Sequence, residues 1–406
     1  MRRVAGEVAL AARVRRLEVS PTVAMAQRAA ALKARGVKVL DFTVGEPDQP
    51  TPARILAAGR EAMEAGHTKY APAAGIPELR AAVVQRYRED FGATFAPGQV
   101  TVTVGGKQAL ALVYQALLDR GSEVVIPTPA WPTFAEAARV AGGRPVFVPL
   151  REEDGFRVTA RAVTRKVSPR TRAIVLNSPC NPTGAVVATD ELVALARLAR
   201  RRGIALLYDD TYAHLIFREG GPPKLGPVQQ AAGDSLVILG TVSKTYCMTG
   251  WRVGWVIGPL ALAAACAALN SHSVQGPATF AQRAAAEALL GPQDVARELA
   301  AEYRRRRAFV HPAVARIPGI VCPQPEGAFY LFPNVRGCLS PRLPDAIALA
   351  TRLLDEKAVA VVPGEGFSAP GHFRMSFAAS ADDLREGVER LSDFFARVAS
   401  DGGRSR

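Results

Sequence analysis

The segment 238-ILGTVSKTYCMTGWRVGW-255 joins an apolar run to Lys244, sets Arg252 eight residues later, and surrounds both with hydroxyls, glycines and tryptophans. Lysine is scarce in this chain, with eight residues against forty-three arginines. The run 236-LVILGT-241 reads as a strand, so Lys244 falls just past a strand end. In an open parallel sheet the carboxyl ends of the strands converge on one crevice, and that is where a lysine can meet other groups.

Working outward, the same rhythm recurs. "VTVTV" at 100–104 precedes a predicted helix over 107–119, "EVVIP" at 123–127 precedes 132–141, and "AIVLNSP" at 173–179 precedes 189–202. "RPVFVPL" at 144–150, "IALLYDD" at 204–210 and "GWRVGWVIG" at 250–258 are further short apolar runs. Such alternation predicts an α/β fold whose mostly parallel sheet is covered by helices on both faces. Upstream, apolar positions at helical spacing predict helices over 52–65 and 77–91, after a short strand "VKVLDF" that ends in "TVGEPD". Downstream, an Ala- and Arg-rich stretch over 259–314 reads as two helices, one carrying "EYRRRRAF". "GAFYLFP", a helix over 344–356, "VAVVPG", "HFRMSFA" and a last helix over 381–399 form a smaller α/β unit, against which the chain start is expected to pack. "REGGPPKLGP" at 218–227 reads as a surface loop. The expected division is an N-terminal arm and small-domain segment at 1–50, a large domain at 51–305 and a small domain at 306–406.

Composition narrows the function classes. With 49% apolar and 22% charged residues over 406 positions, the chain can bury a large core. The formal charge of +14 would attract anions, but the arginines are spread through helical segments without a zinc-finger or basic-zipper arrangement, so no nucleic-acid partner is expected. Five cysteines form no CxxC pair and leave an odd count, which favours a reducing compartment. The start, "MRRVAGEVALAARVRRLEVS", interrupts its apolar runs with charge, and nowhere do 18 apolar residues run uninterrupted. Cytoplasmic residence without membrane contact is the expectation. No histidine cluster suggests a metal site.

A lysine amine is a nucleophile only when deprotonated, a form that partial burial beside other cations favours. Lys244 can then hold a carbonyl cofactor as a Schiff base. Asn181 in "NSPCNPTG", Asp209 in "LLYDDTY" and Tyr212 stand near other predicted strand ends. If the cofactor is pyridoxal phosphate, Asp209 can pair with the protonated pyridine nitrogen, and Asn181 and Tyr212 can donate to the phenolic oxygen. Trp131 in "PTPAWPTF" offers a flat face to the ring. "TVGGKQAL" at 103–110 can aim backbone N–H groups at an anion, and Thr241, Ser243 and Arg252 add two hydroxyls and a guanidinium fork. Taken singly these residues have plainer readings: a turn carboxylate, a core tryptophan, a tight "GG" turn, a surface arginine. Those readings do not account for their placement around one lysine.

At these positions the sequence resembles the fold-type I pyridoxal-phosphate aminotransferases, in particular the bacterial aspartate aminotransferases of the class I gamma group. The resemblance runs from Ser20 to the last helix through "VGEPD", "TKYAPAAGIPELR", "VTVGGKQAL", "NSPCNPTGAV", "YDDTY", "SKTYCMTGWRVGW", "PEGAFY" and "VVPGEGF…GHFRMSFA". It implies a large domain with a mostly parallel seven-stranded sheet between helices, plus a smaller α/β domain. It implies Lys244 as the lysine that carries the cofactor and then moves a proton, Asp209 on the pyridine nitrogen, Asn181 and Tyr212 on the phenolic oxygen, and Trp131 over the ring. Gly106, Lys107, Thr241, Ser243 and Arg252 would surround the phosphate, and Tyr70 would reach the phosphate of a second subunit in a homodimer with composite sites. Arg374 and Gly45 would take the substrate α-carboxylate, with Trp131 and Asn181 beside it. Lys107, Ser20 and Thr22 would take a distal carboxylate, although Pro21 and Val19 alter the spelling there and allow a changed entrance loop. Asp210 stands where the family often has Glu. Cys180 and Cys247 read as packing residues, and His214 and His272 as ordinary polar or packing histidines.

The implied activity is amino transfer from L-aspartate to 2-oxoglutarate, with amino-acid and 2-oxo-acid substrates. The alternatives are a glutamate/aspartate–prephenate or broader aromatic and dicarboxylate aminotransferase, and further off another enzyme of the same cofactor such as a β-lyase, since a fold does not select which bond breaks.

Overall fold

A computed structural model describes Val8, residues 11–15 and residues 21–403, with backbone alone described at 12, 13, 21, 22 and 400–403. Ser20 lies outside the described residues, and so does the side chain of Thr22. The strands, in chain order, are β1 (Leu40–Asp41), β2 (Val100–Thr103), β3 (Glu123–Thr128), β4 (Arg144–Pro149), β5 (Thr171–Asn177), β6 (Ala205–Asp209), β7 (Leu236–Thr241), β8 (Gly254–Ile257), β9 (Tyr330–Leu331), β10 (Val359–Ala360), β11 (Val362–Pro363) and β12 (Phe373–Ser376).

Seven of them form one sheet in the order β2-β8-β7-β6-β5-β3-β4. Only β8 runs against its neighbours, because the turn after Lys244 returns the chain directly beside β7. Every residue of β2, β3, β7 and β8 is buried, as expected for strands with helices on both faces. Their crossovers include the helices Gly105–Leu117, Thr133–Val140 and Thr189–Arg202.

The expected helices over 77–91 and 189–202 are found as Pro77–Phe91 and Thr189–Arg202. Both end on a left-handed glycine, Gly92 at φ 65° and Gly203 at φ 60°, and the first opens with proline, whose missing N–H costs nothing in the first turn. The stretch 259–314 holds three helices rather than two: Leu260–Ser271, Thr279–Leu290 and Asp294–Ala315. The Gly-Pro pairs at 276–277 and 291–292 divide an otherwise uniform Ala-rich pattern. The loop expected over 218–227 is shorter, since a helix begins at Leu225. "VKVLDF" contributes only the two-residue β1, held parallel to β10. Pro21 opens the helix Pro21–Ala34, so the proline that suggested an altered loop occupies a first-turn position.

A second core lies away from the large sheet. It joins Met25, Leu40 and Phe42 from the chain start to residues of the long helix Asp294–Ala315, of the antiparallel sheet β11-β12-β9 and of the last helix. Asp48 pins the two together: its oxygens lie 2.8 and 3.0 Å from Nη1 and Nη2 of buried Arg306. A paired, bidentate arginine is the form in which such a charge tolerates burial. Among the described residues no helix is long and apolar enough to cross a membrane.

Candidate active site

The carboxyl ends of β2, β3, β5, β6 and β7 open on one cleft of about 330 Å³. Each strand feeds a different group into it: Gly106 and Lys107 follow β2, Trp131 follows β3, Asn181 follows β5, Asp209 ends β6 with Tyr212 beyond it, and Thr241, Ser243 and Lys244 lie at the end of β7. Arg252, Gly45 and Arg374 complete the set expected on the lining. Tyr70 is not on it; this side chain is 94% exposed.

Lys244 donates from Nζ to the Gly45 carbonyl at 2.5 Å. Burial lowers its pKa to about 8, Glu46 opposes the change, and the nearby cations Arg252, Arg374 and Lys107 deepen it. The neutral amine is therefore available far below the ordinary lysine range. Asp209 is buried, and desolvation raises its carboxyl to about 6, against hydrogen bonds from Thr211 and Asn177 that favour the ionised form. A carboxylate held in this way fits a cationic N–H donor.

The amide of Asn181 is oriented by Arg374, whose Nη1 donates to Oδ1 at 2.9 Å and so leaves the amide N–H end for an acceptor in the cleft. Arg374 Nη2 donates to the Thr43 carbonyl at 2.7 Å. The Tyr212 hydroxyl is 2.9 Å from that of Tyr330. Lys107 places its ammonium 5.3 Å from the centre of the Trp131 ring.

The anion end is built from the first turn of Gly105–Leu117 and from the β7 loop. Thr241 and Ser243 hydroxyls are 2.7 Å apart, and the Arg252 guanidinium is tied to the Thr249 carbonyl at 2.9 Å. Gly105 has φ 73°, and a Cβ there would stand 2.7 Å from Arg252 Nη2, so the strand-to-helix turn can approach the guanidinium only as glycine. Helix N–H groups, hydroxyls and an arginine on one side of a cleft suit a phosphate.

Four lining residues were not anticipated from sequence: Thr43, Asn177, Thr211 and Tyr330. Asn177 was the most accessible to reasoning, since it is the polar last residue of an apolar strand and pairs in register with Asp209. Tyr330 lies inside the apolar "GAFYLFP" and carries no such signal. Of the other candidates, His214 bonds Asp90 at 2.8 Å and His272 is exposed; neither lines the cleft. Cys180 and Cys247 have thiols pushed up by burial, which suits packing rather than nucleophilic attack. Asp210 turns to the far side of β6, where it accepts from Tyr87 at 2.5 Å. Among the described residues no group of three or more His, Cys, Asp or Glu can hold a metal.

An amine with a depressed pKa, a buried carboxylate and an anion cradle at the ends of one sheet define a pyridoxal-phosphate enzyme of fold type I. The profile of the family "Aminotransferase class I and II" matches residues 37–391, and the chain belongs to that family, in its aspartate aminotransferase group. It is 39% identical over 391 residues to the aspartate aminotransferase of Geobacillus stearothermophilus, covering 95% of this chain and 98% of that one. It is 43% identical over 393 residues to the aspartate/prephenate aminotransferase of Thermus thermophilus, covering 96% and 98%. The structure of the Thermus thermophilus aspartate aminotransferase with maleate superposes with a TM-score of 0.89 at 41% identity, over 96% of this chain and all of that one (100%). The Rhizobium meliloti aspartate aminotransferase gives 0.92 at 34% identity, with 96% and 100% coverage.

In the cofactor-free protein, acylation of Lys244 followed by peptide mass spectrometry should reach half its limiting rate near pH 8. An inflection above pH 10 would contradict the depressed amine. Asp209 gives a stability test of opposite sign from the usual carboxylate. Between its ordinary value of 3.8 and its folded value of about 6, the folded state retains a proton that the unfolded chain has lost, so stability falls as pH rises through that window. Above it the ionised carboxyl costs roughly 2–3 kcal/mol. Asp209→Asn should therefore raise the melting temperature of the cofactor-free protein at pH 7.5 while weakening cofactor retention; a lowered melting temperature would refute this.

Proposed function

We propose that the protein transfers the amino group of L-aspartate to 2-oxoglutarate, and that it does so with pyridoxal phosphate held by the residues above. The observation that carries the reading is a pair of cations in one cleft: Arg374 and Lys107 both line it, and a dicarboxylic substrate has one carboxylate for each. The names of the Geobacillus and Thermus relatives, and the binding of the dicarboxylate maleate by a Thermus structure, support the same substrate class.

Arg374 grips the α-carboxylate through its planar fork and so sets the α-carbon toward Lys244. The neutral Lys244 amine accepts the α-proton as general base and later returns a proton as general acid, a role that a pKa near the working pH favours. With pyridoxal phosphate bound, Asp209 would pair with the protonated pyridine nitrogen, Asn181 and Tyr212 would donate to the phenolic oxygen, Trp131 would lie against the ring, and the first turn of Gly105–Leu117 with Thr241, Ser243 and Arg252 would hold the phosphate. The cofactor, when bound, supplies the electron sink for the carbanion and carries the nitrogen between the two half-reactions. Lys107 selects the distal carboxylate.

A second reading adds prephenate to the acceptors, on the strength of the relatives named aspartate/prephenate aminotransferase. A homodimer is part of the proposal: Tyr70 lies outside its own chain's cleft and is 94% exposed, as a residue reaching a second subunit's phosphate would be in one chain alone.

A panel of oxo acids reacted with the pyridoxamine-phosphate form should show oxaloacetate and 2-oxoglutarate as good acceptors. Lys107→Ala should lower kcat/KM for these by roughly 10- to 100-fold, the worth of a charged hydrogen bond, and for pyruvate only slightly. Equal losses across the panel would refute the selectivity role, negligible oxaloacetate turnover would refute the primary substrate, and prephenate turnover tests the second reading. Sedimentation at micromolar concentration should give the mass of a dimer; a monomer that retains full activity would overturn the composite site.

A further inference from the structure

Tyr330 is wholly buried yet lines the cleft, on β9 of the small antiparallel sheet. Its backbone pairs with Ser376 of β12, two residues beyond Arg374, so that across the antiparallel pair the tyrosine and the arginine are diagonal neighbours on one face. The Arg374 guanidinium lies 4.4 Å from the centre of the Tyr330 ring, a cation over a π face. At the other end of the same side chain the hydroxyl is 2.9 Å from that of Tyr212. Gly45 leaves room for it: a Cβ at that position would stand 2.9 Å from the Tyr330 oxygen.

A phenol has one proton to donate and lone pairs with which to accept. Geometry alone allows the bond between the two hydroxyls to run in either direction. If Tyr212 directs its proton to the cofactor's phenolic oxygen, the bond can run only one way, from Tyr330 to Tyr212. A hydroxyl that accepts a hydrogen bond is also a stronger donor through its own proton.

We propose that Tyr330 is a positioning residue that joins the two halves of the site: its hydroxyl donates to Tyr212 and fixes that proton toward the cofactor, while its ring face holds the Arg374 guanidinium ready for the substrate carboxylate. The inference rests on the cofactor placement under Proposed function and goes beyond it by assigning one small-domain side chain to both tasks. The two tasks reside in different atoms, so they separate by substitution. Tyr330→Phe removes the donor and keeps the ring; Tyr330→Leu removes both.

The test uses the holoenzyme, with the visible absorbance of bound pyridoxal phosphate titrated against pH and kcat and KM measured with aspartate. Donation from Tyr212 stabilises the negative phenolic oxygen, so weakening it makes the bound cofactor harder to deprotonate. Tyr330→Phe should raise the absorbance pKa by about 0.2–0.7 units, in the same direction as Tyr212→Phe, and should add nothing further in the double variant. Its KM for aspartate should stay within about twofold, because the cation–π face is intact. Tyr330→Leu should show the same spectral shift and a KM raised roughly 5- to 30-fold, which phenylalanine at the position rescues. KM is referred to the cofactor-loaded fraction, and Tyr330→Phe, which deletes a single oxygen, reads the hydroxyl's role even where the leucine variant loads poorly. A Tyr330→Phe protein that titrates like the wild type, or a KM raised equally in both variants, overturns the proposal. Wild-type protein that takes up no pyridoxal phosphate would instead overturn the reading on which it rests.

Discussion

Desolvation at the carboxyl edge of a parallel sheet drives the Lys244 ammonium and the Asp209 carboxylate alike toward their neutral forms. For the lysine this is useful directly, because the neutral amine is the nucleophile and base. For the aspartate it is an unfavourable arrangement that becomes favourable once a cation faces it. The sheet therefore presents, side by side, a group that benefits from dryness and a group that needs a partner, and the anion cradle on the β7 side adds a third requirement. A ligand with an aldehyde, a protonatable ring nitrogen and a phosphate meets all three.

The large sheet supplies only part of the site. Gly45, Thr43, Tyr330 and Arg374 come from the segment beside β1 and from the second sheet, and they reach the cleft across the junction between the two cores. Their mutual contacts are polar and direct: Lys244 to the Gly45 carbonyl, Arg374 to Asn181 and to the Thr43 carbonyl, Tyr330 to Tyr212. Two of these bonds, Lys244 to Gly45 and Arg374 to Asn181, tie the loops that follow the large sheet's strands to the segment beside β1 and to β12, while Tyr212 and Tyr330 meet within the second core. The Asp48–Arg306 pair anchors the chain just after Gly45, so the backbone that receives Lys244 is held near its next turn. Substrate grip and cofactor tuning are in this way mechanically connected, although they are built from residues 43–46 at one end of the chain and 330–374 at the other.

Much of this was legible in order. Strand–helix alternation over 100–258 follows from apolar runs of strand length between helical patterns, and strand ends in parallel sheets share a crevice by geometry. Hence Lys244, Asp209, Asn181, Trp131 and the 105–107 turn are expected together from sequence. The two-residue strands were less legible, since "VKVLDF" and "GAFYLFP" owe most of their burial to packing and only Leu40–Asp41 and Tyr330–Leu331 to strand pairing. The Ala-rich stretch concealed its third helix because alanine supports helix everywhere and only the Gly-Pro pairs mark the breaks.

By itself, then, the order of residues determined the α/β class and the edge of the sheet that carries chemistry, because these follow from local periodicity and from the handed, parallel connection of strands, while the roles of the residues expected around a charged ring came from their side-chain chemistry and from the family resemblance. What only the tertiary structure decided is which hydroxyl stands behind Tyr212, which amide orientation Asn181 adopts, and how dry Lys244 and Asp209 become. Those properties depend on distances of a few ångströms between segments hundreds of residues apart, and neither dielectric environment nor hydrogen-bond direction is encoded in spacing along the chain.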